Sequence, residues 1–263
     1  MKFYPKKSLG QNFLVDDKII NSIIEQGNIN NNDVIIEVGP GTGSLTQKIL
    51  EKKPKKFIVI EKDINLANSL NQKYGNKIQV INEDILKFTH EDFLKENAII
   101  FGNLPYNIST QILARWIKIK NLDKFCKKFI LMFQKEVADR IIAEKNTRNY
   151  GRLSILSNWK MKIEKVFDID PNSFKPKPKI ESTLLTFVPK KNFYKLRNPK
   201  NLEHVTNIFF SQRRKMIRKP LKRLFKNYED IAKTLSLDLS LRPQNLNNII
   251  YYKICELYES SID

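Results

Sequence analysis

Histidine and cysteine are scarce in this 263-residue chain, with two of each. Cys126 and Cys255 lie in apolar helical contexts without Cys-x-x-Cys spacing, which predicts packed, reduced thiols and no disulfide framework. His90 and His204 have no ligand-spaced companions, so no metal site is expected. No run of about 18 apolar residues occurs and the mean hydropathy is −0.43, which argues against a membrane-spanning helix. Met1-Lys2-Phe3-Tyr4-Pro5 lacks the basic-then-apolar pattern of a leader, and the expectation is a cytoplasmic monomer with no membrane partner. Internal repeats and low-complexity blocks are missing too. So is any Gly-x-x-x-x-Gly-Lys-Ser/Thr loop for cradling phosphates.

Positive charge is what the chain has in excess. Lys and Arg number 47 against 28 acids, a net charge of +19. Residues 190–263 hold 16 basic and 7 acidic residues, and within 190–226 Glu203 is the single acid among 13 Lys and Arg. A clustered basic face is the footprint expected for a nucleic-acid backbone, whose neutralisation drives salt-dependent binding.

Apolar runs at roughly 34–38, 57–61, 77–81 and 98–101 alternate with helical segments, a βαβ pattern that predicts a parallel sheet. Lys128 to Phe133 reads as a fifth strand, and Lys162 to Ile169 with Ser182 to Val188 as a closing antiparallel pair. A first helix is capped by Asp16 or Asp17, and another fits Gln134 to Ala143. With 263 residues the chain can bury one full core plus an appendage. The division is set near Pro189: an α/β domain over 1–189, then a small all-helical basic domain over 190–263. In the second, helices are expected at about 201–218, 220–226, 228–236 and 246–260, with Pro220 as the first residue of a new helix.

The polar residues cluster at the carboxyl ends of the strands, where ligands of open parallel sheets bind. The first strand runs into Gly39-Pro40-Gly41-Thr42-Gly43, glycines that let a ligand approach the backbone. A dinucleotide fingerprint needs Gly-x-Gly-x-x-Gly, but the third glycine comes one residue early, which disfavours NAD. Glu61 ends the second strand, where an acid accepts from two ribose hydroxyls. Asp84 follows the third and offers an acceptor for an adenine amine. The ligand implied is an adenosine derivative without a phosphate demand, and S-adenosylmethionine fits.

Asn103-Leu104-Pro105-Tyr106 follows the fourth strand. An adenine amine is a poor nucleophile because its lone pair is delocalised into the ring. Two acceptors, the Asn103 amide oxygen and a backbone carbonyl near Pro105, suit its two N–H groups and turn the lone pair toward an electrophile. Tyr106 offers a face on which an extruded base stacks. The bland alternative is a strand-to-helix turn with a packed tyrosine.

Read in order, Lys7-Ser8-Leu9-Gly10-Gln11-Asn12-Phe13-Leu14, Glu37 to Gly43, Gly102 to Ser109, Gln134 to Ala138, Tyr150 to Ser154, Phe174 to Ser182 and Gln212-Arg213-Arg214-Lys215 resemble the small-subunit rRNA adenine N6,N6-dimethyltransferases, as does Arg242-Pro243. The resemblance implies a Rossmann-like class I S-adenosylmethionine-dependent methyltransferase sheet with a small C-terminal helical domain. It implies that Asn12, Leu14, Gly39, Gly41, Glu61, Asp84 and Asn103 hold the cofactor. It implies catalysis at Asn103, Leu104, Pro105 and Tyr106, with Phe174 as a second aromatic flanking the base. For Phe174 the competing reading is a buried loop anchor, and the flanking Lys175, Lys177 and Lys179 favour RNA contact. Arg213, Arg214 and Lys215 are expected to touch RNA.

The implied substrate is two adjacent adenosines in the 3′-terminal hairpin of 16S rRNA, within a pre-30S subunit. The implied reaction is direct methyl transfer, with a role in small-subunit biogenesis. Gln111, where many relatives carry proline, and Pro220 depart from the pattern. Alternatives are a large-subunit (23S) rRNA methyltransferase of the macrolide-resistance type, a DNA N6-adenine methyltransferase, and a non-catalytic assembly factor on the same scaffold.

Overall fold

A computed structural model describes residues 10–88 and 96–262. Lys7-Ser8-Leu9 of the first motif and His90 lie outside the described residues. The chain divides into two compact units, the first running to Ala138 and resuming over Lys162–Pro189, the second comprising Asp139–Met161 and Lys190–Asp263.

The first unit is built on a seven-stranded sheet. Its strands are β2 (Val34–Val38), β3 (Lys56–Ile60), β4 (Gln79–Ile81), β5 (Ala98–Asn103), β6 (Cys126–Gln134), β7 (Met161–Ile169) and β9 (Ser182–Pro189), in the order β4-β3-β2-β5-β6-β9-β7. Neighbours from β4 through β6 are parallel, and β9 runs antiparallel to β6. A separate two-stranded ribbon pairs β1 (Phe13–Leu14) with β8 (Phe174–Lys175), Leu14 opposite Phe174. Strand order reverses at β2 and β5, the point where such sheets open a crevice at their carboxyl edge.

Period-two alternation sends Ile35, Phe57, Val59, Ile99, Phe101 and Ile130 to one face of the sheet. There they meet Ile20, Ile23 and Ile24 of α1 (Asp17–Glu25), spaced one helical turn apart, and Leu45 and Ile49 of α2 (Ser44–Glu51). Asp16 caps α1 by accepting from the Lys18 and Ile19 amides. From the opposite face Phe129 stacks with Trp116 of α4 (Ser109–Ile117), ring centroids 5.0 Å apart, and with Phe187. Both faces are therefore covered, as a parallel sheet requires.

The second unit differs from a simple cut at Pro189. Residues 139–161, including α7 (Arg152–Lys160), pack with the C-terminal helices. The cause is aromatic: Tyr150 meets Phe210, Trp159 meets Phe193, and the Tyr252 hydroxyl donates to the Ile155 carbonyl at 2.9 Å. Around them lie α8 (Pro199–Phe210), α9 (Arg218–Leu224), α10 (Tyr228–Thr234) and α11 (Asn248–Ser261). Buried Glu259 of α11 accepts from the Arg197 and Asn198 amides just before α8, satisfying donors that the helix start leaves over.

The reading of one helix over 201–218 is corrected, because α8 stops at Phe210 and residues 211–215 form a turn. Helix α9 starts at Arg218, two residues before Pro220, which still falls in the first turn where a missing N–H costs nothing.

Candidate active site

Gly39 and Asn103 face each other across the β2/β5 switch point. A Cβ on Gly39, whose φ is +70°, would stand 3.3 Å from the Asn103 carbonyl oxygen. Gly41, at φ +59°, lies under the Phe13 ring, which a Cβ there would meet at 2.7 Å. Glycine at both is thus demanded by backbone conformation, and at Gly41 by space as well. The cleft between has about 990 Å³ of empty space, open solvent included. Asn12, Leu14, Glu37, Gly39, Gly41, Glu61, Asp84 and Asn103 through Tyr106 all line it. The structure so brings together every residue assigned to the cofactor and to catalysis.

Two buried carboxyl groups lie at the floor of the polar site. Glu61 accepts the Gly41 N–H at 3.1 Å and the Asp63 N–H at 2.9 Å. Burial raises its pKa, and the two amides offset part of that rise. Glu37, 1% exposed within β2, accepts the Thr46 hydroxyl at 2.7 Å and no other hydrogen bond from the described residues. Burial pushes its carboxyl up to about 8, and the nearby Glu61 adds to the rise. Among the described residues no Lys or Arg pairs with either acid. Glu37 escapes the sequence reading because it looks like one polar interruption of an apolar strand. The signal is the acid itself, since an acid inside a fully buried strand needs a partner.

Asp84 is different. Its carboxylate takes the Lys62 ammonium at 2.9 Å and the Leu86 N–H at 2.9 Å, and the lysine first, then the amide, lower its pKa.

The Asn103 amide is fixed by its own donor, since Nδ2 donates to the Asn12 carbonyl at 2.8 Å. That bond settles which end of the amide is free: Oδ1 remains as an acceptor. The Leu104 side chain is 1% exposed and fills the space that Gly102 lacks, with Cδ2 2.8 Å from an ideal Cβ there. Leu104 therefore lines the cleft with its main chain. The carbonyl of Pro105 is used within the turn, accepting from the Ile108 N–H at 3.0 Å, whereas that of Leu104 accepts no hydrogen bond from the described residues. Tyr106 is half-buried; its hydroxyl lies 2.5 Å from Ser182 Oγ, and burial raises its pKa.

Phe174 is not among the residues that line the cleft, which favours the competing reading of a buried loop anchor. It is 1% exposed, packed in the core with Leu14 and Ile169, and held there by the ribbon with β1. A ring this hydrophobic gains more from burial than the adjacent lysines gain by presenting it.

In the second unit Arg213 is a fastener: Nη2 donates to the Thr147 carbonyl at 3.1 Å and Nε to Gln244 Oε1 at 3.3 Å. Arg214 and Lys215 are exposed and share a shallow surface with Met216, Arg218, Lys219 and Arg242. Among the described residues no group of three or more His, Cys, Asp or Glu could hold a metal ion, and no helix is long and apolar enough to cross a membrane.

The sheet order, the glycine turn and the acids at the strand ends define a Rossmann-like methyltransferase. A family model described as ribosomal RNA adenine dimethylase matches residues 2–260, and the chain belongs to that family. The ribosomal RNA small subunit methyltransferase A of Pelagibacter ubique (strain HTCC1062) is 53% identical over 254 residues, 97% of either chain. A dimethyladenosine transferase from Plasmodium falciparum superposes with a TM-score of 0.79 at 27% identity, covering 94% of this chain and 98% of its own. The 23S rRNA methyltransferase ErmE gives 0.66 at 23% identity, covering 94% and 100%, a likeness of fold.

Proposed function

We propose that this chain transfers methyl groups from S-adenosylmethionine to N6 of two adjacent adenosines in the 3′-terminal hairpin of small-subunit rRNA. It does so during assembly of the small subunit in the cytoplasm. The observation that carries the reading is the pair of buried acids, Glu37 and Glu61, beside an anchored Asn103. Neither acid has a cationic partner among the described residues and burial raises the pKa of both, so a ligand that brings positive charge would draw them toward the ionised form. The chemistry supplied by the methyl donor is an activated methyl on a sulfonium that also carries an ammonium.

Glu61 holds the ribose hydroxyls, and Asp84 keeps acceptor capacity for the adenine amine beyond its two present bonds. Gly39 and Gly41 let the ligand approach the backbone, beside the segment of Asn12 and Leu14. The substrate amine is held by Asn103 Oδ1 and the Leu104 carbonyl, with Tyr106 against the base. Orientation and exclusion of water are the enzyme's contributions, and no side chain has to act as a strong base. The amine becomes acidic once alkylated and releases its proton through those same acceptors. A second methylation needs only one N–H to remain engaged. Arg214 and Lys215 take RNA phosphates, while Arg213 holds the turn that presents them.

The test is labelled-methyl transfer to small subunits from a strain lacking the modification. Primer extension across both rRNAs should map the product to paired adenosines of the small subunit. Modification of the large-subunit rRNA instead, or none, would remove this reading.

A further inference from the structure

Tyr106 sits in an irregular turn, yet its hydroxyl is tethered to the first residue of a sheet strand. Its hydroxyl lies 2.5 Å from Ser182 Oγ, at the short end of O–H···O hydrogen bonds. Ser182 is fully buried and opens β9, paired with Gln134, the last residue of β6. The residues on either side of Ser182 are clamped. The Lys135 amide donates to the Glu181 carbonyl at 3.0 Å, and Lys135 Nζ reaches Glu181 Oε2 at 2.6 Å and Asp168 Oδ2 at 3.1 Å. On the other side Thr183 Oγ1 donates to Asp168 Oδ1 at 2.6 Å. By contrast the Tyr106 main chain accepts only from the Ser109 hydroxyl, at 3.2 Å, and the ring has no other polar tether among the described residues.

We infer that Ser182 is a positioning residue that fixes the angle of the Tyr106 ring and thereby the presentation of the adenine. The inference rests on the proposed function. Its weight falls unevenly on the two methyl transfers. In the first, two N–H groups of the amine are held; in the second only one remains, so orientation depends more on the stacked ring. Loosening the ring slows the second transfer more than the first, and the intermediate N6-monomethyladenosine accumulates.

The experiment compares Ser182→Ala, Tyr106→Phe and the double variant with the parent protein. Small subunits lacking the modification serve as substrate, and monomethyl and dimethyl products are counted by mass spectrometry. Each single variant should lower kcat/KM for the second transfer by about 5–10-fold, the range of one hydrogen bond, with a smaller effect on the first. The double variant should be no worse than either single one, because both remove the same bond. Affinity for S-adenosylmethionine, measured by calorimetry, should stay unchanged. An unaltered product ratio, or multiplying effects in the double variant, overturns the inference while leaving the activity standing. A parent protein without transfer overturns both. Should Ser182→Ala fail to fold, Tyr106→Phe decides alone by the same product ratio.

Discussion

The side-chain Nδ2 of Asn103 donates to the main-chain oxygen of Asn12 at 2.8 Å, so one amide ties the roof of the cleft to the end of its central strand. The bond does two things. It ties the Gln11–Leu14 segment, whose Phe13 ring lies against Gly41, to the end of β5, and it leaves Oδ1 as the amide's acceptor. Asn103→Ala should abolish methyl transfer, by at least about 100-fold in kcat, the size seen when a preorganised polar group is removed from a reacting centre. RNA binding should survive. Full turnover in this variant would exclude Asn103 from the chemistry.

Glu61→Ala should weaken S-adenosylmethionine by at least about tenfold in Kd, since hydrogen bonds to a charged acceptor contribute roughly 1.5–3 kcal/mol each. The variant also frees the Gly41 and Asp63 amides that Glu61 now engages. Calorimetry that found equal affinity would take Glu61 out of the site.

Glu37 gives the protein a pH signature. In the unfolded chain its carboxyl titrates near 4.5, whereas in the fold it does so at about 8. Between those values the folded state keeps a proton that the unfolded state has lost, so stability falls as pH rises from about 4.5 to about 8 and levels off beyond. Glu37→Gln removes this contribution while retaining an acceptor for Thr46. Melting temperatures from pH 5 to 8 should therefore vary less in the variant, and an identical slope in both proteins would show that Glu37 is ionised throughout.

Phe174 distinguishes a core anchor from a base-stacking ring. Phe174→Ala should destabilise the protein by about 3–5 kcal/mol through the cavity it leaves. Phe174→Leu keeps most of the packing and should keep most of the transfer rate. Normal stability with lost activity in the leucine variant would return Phe174 to the substrate.

The basic turn after α8 makes a paired prediction. Replacing Arg214 and Lys215 by Gln should weaken RNA binding for all sequences and make the log–log salt dependence shallower by roughly one unit per lost phosphate contact. Arg213→Gln should instead lower the melting temperature, because its guanidinium ties Thr147 and Gln244. Equal salt slopes in the parent and the Arg214/Lys215 variant would place RNA elsewhere.

What could be read from the chain beforehand was local. The apolar strands, the glycine turn and the acids at the strand ends are neighbours in sequence, and the structure gathers them at one edge. What escaped depends on remote partners. A two-residue ribbon such as Phe13–Leu14 with Phe174–Lys175 has no periodicity to detect, so the burial of Phe174 was not visible among its lysines. Arg213 reads as one more basic residue until its two acceptors are known. The stretch over 139–161 follows sheet strands in sequence, and only the aromatic contacts of Tyr150 and Trp159 reveal its allegiance.

That nested connectivity has a consequence for synthesis. As the polypeptide emerges, the segment ending at Met161 is made well before Phe193, Phe210 and Tyr252, the rings and hydroxyl that complete its packing. Until those arrive, Tyr150 and Trp159 stay wet, and a gene clipped after codon 189 would yield a sheet burdened with an orphaned greasy helix. Neither half can be excised as one uninterrupted stretch, so expressing either alone calls for a splice or a permutation.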